Sequence, residues 1–248
     1  MMSETVGVER RRRILITGGS SGIGRAVASR LSATNDVWLW GSRAETAAEA
    51  ASSINVAGSD GVDITDFDAV QGAIARIVAE LGGLDGVFIN AGIDGAGKPA
   101  LEVSPESFRR VLEVNVVGAF NVAKAAIPYL ARPGSVVFNA SVNALRPEAN
   151  FVDYNASKAA VVSMAQTFAL ELAEQGITVL TVCPGYFPTR MTESYLSDPD
   201  LLPGLLSLVP ARRVGDLGEI AAVVEFLLSD GARYMSGAIV PVDGGRSI

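Results

Sequence analysis

The chain has 248 residues, 49% apolar and 19% charged, with no histidine, one cysteine and a formal charge of −7 from 20 basic and 27 acidic residues. Without imidazole there can be no Ser-His-Asp triad, no HExxH zinc helix and no His-ligated metal, and a lone Cys183 leaves no intrachain disulfide. The acidity weighs against a nucleic-acid partner, and proton transfer near neutral pH has to fall to a Tyr, Lys, Asp, Glu or Cys with a displaced pKa.

Short β-like runs alternate with helix-like runs along the chain. Residues 1–13, with the basic run Arg10–Arg13, read as a flexible solvated tail. Strands are expected at Ile14–Thr17, Val37–Trp40, Gly61–Ile64, Val87–Asn90, Val136–Asn139, Ile177–Val182 and Ala238–Val242. Helices are expected at Ile23–Leu31 and Ala44–Ile54, and from a Thr65–Asp68 cap to Leu81. Ser104-Pro105-Glu106 opens a long helix, Tyr154–Glu174 is another, stopped by Gly176, and Asp216–Leu228 is the last. Trp38 and Trp40 share a strand face and read as packing residues, and Cys183 as a small buried hydrophobe. Tyr186–Val214, rich in proline, lacks periodicity and is expected to be a functional loop.

Apolar strands separated by helices imply an α/β fold. The expectation is a single-domain, Rossmann-like, doubly wound architecture over 14–248: a seven-stranded parallel sheet with helices on both faces. No secretory signal is visible and no apolar run reaches the ~18–20 residues that span a bilayer. A cytoplasmic protein without a membrane partner is expected.

Thr17-Gly18-Gly19-Ser20-Ser21-Gly22-Ile23-Gly24 stands where the first strand turns into the first helix. Gly18 suits a tight turn, Gly22 the approach of a pyrophosphate and Gly24 close helix–sheet packing, while the helix start offers free N–H groups around Ser20, Ser21 and Ile23. At the end of the second strand, where NAD-binding folds carry an acid, stands Gly41-Ser42-Arg43. Ser42 and Arg43 suit a 2′-phosphate, so NADP(H) is favoured over NAD(H). Tyr154 and Lys158, at i and i+4, share a helical face, and Lys158 is one of only three lysines. Ser141 falls at the carboxyl end of the fifth strand, where open α/β sheets bind ligands.

In these motifs the chain resembles the short-chain dehydrogenases/reductases, from about Ile14 to Gly245. Thr17–Gly24 matches the TGxxxGIG turn, and Asn90-Ala91-Gly92 the NNAG motif with Ile89 replacing its first Asn. Asn115, Ser141, Tyr154 and Lys158 match the catalytic tetrad; Asp63-Ile64 matches a pair that touches adenine; Pro184-Gly185 with Thr189 matches a segment that holds the nicotinamide amide. The resemblance implies interconversion of a ketone and a secondary alcohol by hydride transfer, with Tyr154 as general acid/base and Lys158 lowering its pKa and gripping the nicotinamide ribose. Ser141 would hydrogen-bond the reacting oxygen and Asn115 would support a water path to Lys158.

Substrate choice is expected from Ile93–Pro99, Val142–Asp153 and Tyr186–Val214, with a moderately apolar carbonyl or alcohol as the default. A 3-oxoacyl thioester is a narrower version, with Arg109-Arg110 and Arg212-Arg213 as docking candidates. Other readings are a non-redox lyase or epimerase, or a catalytically silent dinucleotide-binding regulator. The resemblance also implies a homodimer or homotetramer built on the two long helices.

Overall fold

A computed structural model describes residues 10–248. Its seven strands form one wholly parallel sheet in the order β3-β2-β1-β4-β5-β6-β7. They are β1 (Arg13–Thr17), β2 (Asp36–Gly41), β3 (Gly58–Gly61), β4 (Leu84–Ile89), β5 (Leu130–Asn139), β6 (Ile177–Pro184) and β7 (Ile239–Val242). The order reverses direction between β1 and β4, which opens a crevice at their carboxyl ends.

The inner strands β4 and β6 are buried along their whole length because helices cover both of their faces. One layer holds α1 (Gly22–Leu31), α2 (Ala44–Ser53) and α9 (Leu217–Leu228), packed on Ile14, Ile16, Leu39, Phe88 and Leu180. The other holds α3 (Phe67–Leu81), α5 (Ala119–Ala126) and α6 (Val152–Leu172), packed on Leu15, Val87, Val136, Phe138 and Val179, with α4 (Pro105–Leu112) laid against α6. Alternating residues along β1 thus serve opposite cores, as the period of two requires.

Helix α4 runs through a π-helical turn, Glu113–Gly118, into α5. The whole rod, Pro105–Tyr129, is 25 residues long and, contrary to expectation, long and apolar enough to cross a membrane, yet 56% of its most apolar stretch is buried inside the protein. It is packed as a core helix.

Three expectations need correction. The third strand lies at Gly58–Gly61, ahead of the expected Gly61–Ile64. A Cβ on Gly58 would stand 2.6 Å from the Trp38 ring, so the edge strand must be glycine there, while Val62 and Ile64 plug the core after the strand ends. The basic run is not a solvated tail. Arg13 begins β1, Arg10 and Arg13 both bind the buried Asp85, and Arg11 binds Asp36 at 2.8 Å; residues 1–9 lie outside the described part. The loop at 186–214 is not wholly irregular: it forms α7 (Glu193–Leu196) and α8 (Leu202–Ser207).

Candidate active site

A cleft of about 490 Å³ runs across the carboxyl ends of the strands. It is lined by Gly18, Ser20, Ser21, Gly22, Ile23, Ser42, Asp63, Ile64, Asn90, Ala91, Gly92, Pro184, Gly185 and Thr189 of the expected cofactor residues, and by Ser141, Tyr154 and Lys158. Gly24, Arg43 and Asn115 are outside that lining, each for its own reason.

At the middle of the cleft the buried Thr17 ties β1 to β4. Its hydroxyl accepts from the amides of Asn90 at 2.9 Å and Ala91 at 3.1 Å, while Asn90 Nδ2 donates to the carbonyls of Thr17 and Gly18. Gly18 adopts φ +64°, and a Cβ on Gly24 would stand 2.2 Å from the Gly18 oxygen. Gly24 therefore sits behind the turn and lets α1 approach it.

The start of α1 is left open. Asp66, Ser104 and Asp216 cap α3, α4 and α9 with side-chain acceptors, and Asp216 with Glu219 completes a capping box. Ser21, the cap residue of α1, makes no such bond, and the first turn carries no acid. Unsatisfied N–H groups and the positive end of the helix dipole thus face the cleft, a fit for the pyrophosphate of a dinucleotide.

At the far end, Asp63 accepts from Thr65 Oγ1 at 2.7 Å and from the Thr65 amide, which holds its carboxyl below the usual range. Arg43 is exposed beside the lining residue Ser42, with its carbonyl accepting from Thr46. Arg110 lines this end too, and its charge reaches Asp63. The sequence offered Arg110 only within an Arg-Arg pair; neighbours in a helix face different ways, so one of the two could enter the cleft.

The other end holds Ser141, Tyr154 and Lys158, three of the four residues expected to form a tetrad. Lys158 is buried, its Nζ donating to the Asn139 carbonyl at 2.9 Å and standing 5.6 Å from the Tyr154 ring centre. Burial pulls its pKa down to about 8. Burial also holds the Tyr154 phenol well above its usual range, the Asp94 charge adding to this and the Ser141 hydroxyl opposing it. The lowering expected from Lys158 is not what sets this direction: desolvation is the largest influence on the phenol.

Asn115 sits in the π-helical turn, where such turns often serve function. Its Nδ2 donates to the Ile93 carbonyl at 2.9 Å and to Ser157 Oγ at 3.0 Å, and its Oδ1 accepts from the Ile93 amide. Its side chain staples the loop after β4 to α6. Trp40 lines the cleft as well, with Nε1 buried and without a partner among the described residues, while Trp38 donates to Asp60 at 2.9 Å. Asn139, missed in the sequence, holds Asn90 through its side chain and Lys158 through its backbone. A backbone carbonyl has no residue signature, so nothing in the sequence marked it.

A family model described as enoyl-(acyl carrier protein) reductase matches residues 18–247. The 3-oxoacyl-[acyl-carrier-protein] reductase MabA of Mycobacterium bovis is 37% identical over 96% of this chain and 93% of its own length. The crystal structure of 3-ketoacyl-(acyl-carrier-protein) reductase from Brucella melitensis complexed with NADH superposes with a TM-score of 0.89 at 29% identity, covering 96% of this chain and 98% of that one. The RhlG/NADP active-site complex of Pseudomonas aeruginosa gives 0.87 at 29%, covering 96% of each chain. With its 3-2-1-4-5-6-7 sheet, open phosphate turn and Ser-Tyr-Lys cluster, the chain belongs to the short-chain dehydrogenase/reductase family, as a nicotinamide-dependent oxidoreductase that interconverts a ketone and a secondary alcohol.

Proposed function

We propose that the enzyme works with NADP(H) and uses Tyr154 as its general acid/base. The observation that carries this reading is the layout of one cleft, whose uncapped α1 start lies opposite Ser141, Tyr154 and Lys158. The solved relatives carry NADH in one case and NADP in another, so fold alone does not choose. The end of β2 supports NADP(H): Gly41-Ser42-Arg43 offers no carboxylate to a ribose hydroxyl, and Arg43, with the cleft-lining Arg110, would supply cations for a 2′-phosphate.

A nicotinamide held in this cleft would supply or receive the hydride. This chain's residues do the rest. Ser141 and Tyr154 hydrogen-bond the substrate oxygen, Tyr154 gives or takes its proton, and Ser141 meets the charge that develops there. Lys158 is the cation behind the phenol, fixed by Asn139, and Asn115 holds the loop that borders them. The half-buried phenol, its pKa held up by desolvation, keeps its proton at neutral pH, which suits a donor to a carbonyl.

A 3-oxoacyl thioester is a second reading, favoured by the names of the relatives. We also propose a cytoplasmic homodimer or homotetramer: Val117, Phe120 and Leu170 leave apolar surface exposed on the π-helical turn, α5 and α6. Titration with NADPH and NADH, followed by NADPH consumption across ketones and 3-oxoacyl thioesters, tests the reading. Tighter NADH binding or no consumption with any carbonyl overturns it.

A further inference from the structure

We infer that Asp94 selects the substrate: its carboxylate takes a hydrogen-bond donor carried next to the reacting carbon, so the enzyme favours hydroxylated ketones and their diols over substrates with a carboxylate there. This rests on the ketone and alcohol chemistry proposed above.

The three loops expected to govern specificity meet at Tyr195, which binds this residue. Asp94 follows β4, Phe151 precedes α6, and Tyr195 stands on α7, 101 positions from Asp94. The Tyr195 hydroxyl donates to Asp94 Oδ2, and its ring meets Phe151 edge-on at 6.4 Å. The Gly95 amide donates to Asp94 Oδ1 at 2.9 Å. Each carboxylate oxygen has a second lone pair, so the group keeps acceptor capacity. Tyr195 already shows which partner the position takes: a neutral hydroxyl.

Asp94 stands between Ile93, which lines the cleft, and Gly95, on which a Cβ would come 3.1 Å from Tyr154 Cβ; its charge acts on both Tyr154 and Lys158, and burial raises its own pKa. The neighbouring acids do not share its role. Asp153 is fully buried, its oxygens taken by the amides of Tyr154 at 2.8 Å and Ala96 at 3.0 Å. Glu148 accepts from the Tyr186 hydroxyl at 2.9 Å. Arg190 lines the cleft beside Thr189 and also a groove with Ser20, Ser21 and Arg25, on the phosphate side. A substrate carboxylate beside Asp94 would meet a like charge in a partly dry site, whereas a hydroxyl gains a charged acceptor.

The test compares kcat/KM with NADPH for two shape-matched pairs, 1-hydroxybutan-2-one against pentan-3-one and 4-hydroxybutan-2-one against pentan-2-one, with 3-oxobutanoate as the anion. The hydroxylated member of at least one pair should lead about tenfold or more, the worth of a hydrogen bond to a charged acceptor. Asp94→Ala should bring that ratio near unity, and the isosteric Asp94→Asn should relieve discrimination against 3-oxobutanoate. A wild-type ratio near unity in both pairs, or a preference that survives Asp94→Ala, overturns the inference. Failure of the redox reading is seen separately, as no NADPH consumption with any of these carbonyls. In that event the melting-temperature shift given by butane-1,2-diol against pentan-3-ol in the NADPH complex decides, and equal shifts overturn the inference.

Discussion

Lys158 Nζ donates to the main-chain oxygen of Asn139 at 2.9 Å, so the cation of the site is held by the strand that leads to Ser141. The helix supplies the charge, and the sheet decides where it stands. Because the acceptor is backbone, only the lysine end can be changed by substitution. Lys158→Met should reduce turnover by about 10²–10⁴, the usual worth of a group in proton transfer, as read by steady-state kinetics.

Lys158 also sets a stability slope. Its pKa is depressed by burial, to about 8, from an ordinary 10.5. Between those values the unfolded chain binds the proton that the folded chain has released, so stability rises with pH across that window. Below it the cost of burying the ammonium is present in full. Denaturant unfolding should show this rise most clearly between pH 8 and 9, before the buried Cys183 thiol, raised to about 11, adds the opposite slope, and Lys158→Met should lack it.

Tyr154→Phe removes one oxygen and leaves the ring in place. Turnover should fall by about 10²–10⁴, while NADPH binding stays near that of the wild type in a fluorescence titration. Wild-type-like turnover would show that another group handles the proton.

The cofactor preference should move with the end of β2. Arg43→Glu places a carboxylate where a 2′-phosphate would lie and removes a cation. The NADPH/NADH ratio of dissociation constants should shift toward NADH by about tenfold or more, the scale of a charge-assisted hydrogen bond.

Far from the cleft, Asp85 carries a stability prediction. It accepts from Arg10, from the Arg13 guanidinium at 2.8 Å and from the Arg13 amide at 2.9 Å, and is almost fully buried. Burial works to raise its pKa, yet the arginine hydrogen bonds win and hold it far below the ordinary 3.8. The stabilisation is therefore complete above pH 4 or so and is lost as pH falls toward the folded value. Asp85→Ala should cost about 3–5 kcal/mol at neutral pH, since it strands a partly buried Arg13. The unfolding curves of variant and wild type should converge in acid.

What the sequence revealed follows from how local each feature is. The Thr17–Gly24 turn and the Tyr154/Lys158 pair are set by neighbours within one turn or one helical face, so residue type and spacing suffice. The limits of β3 were hidden because Gly58 is required by the ring of Trp38, on another strand. The fate of Arg10–Arg13 was hidden because Asp85 lies more than seventy positions away. Tyr154 shows a different gap. The tetrad could be named from its motif, but the direction of its pKa depends on how much water the fold removes, which no spacing encodes.

The uncapped start of α1 couples ligand to fold. Its first-turn N–H groups lack an internal acceptor, so a bound dinucleotide completes the helix as well as filling the cleft. By mass action, cofactor at a hundredfold above its dissociation constant adds about 2.7 kcal/mol to the folded state. The melting temperature of this enzyme should therefore report the concentration and kind of nicotinamide dinucleotide around it, and a thermal melt ranks NADPH against NADH before any substrate is known.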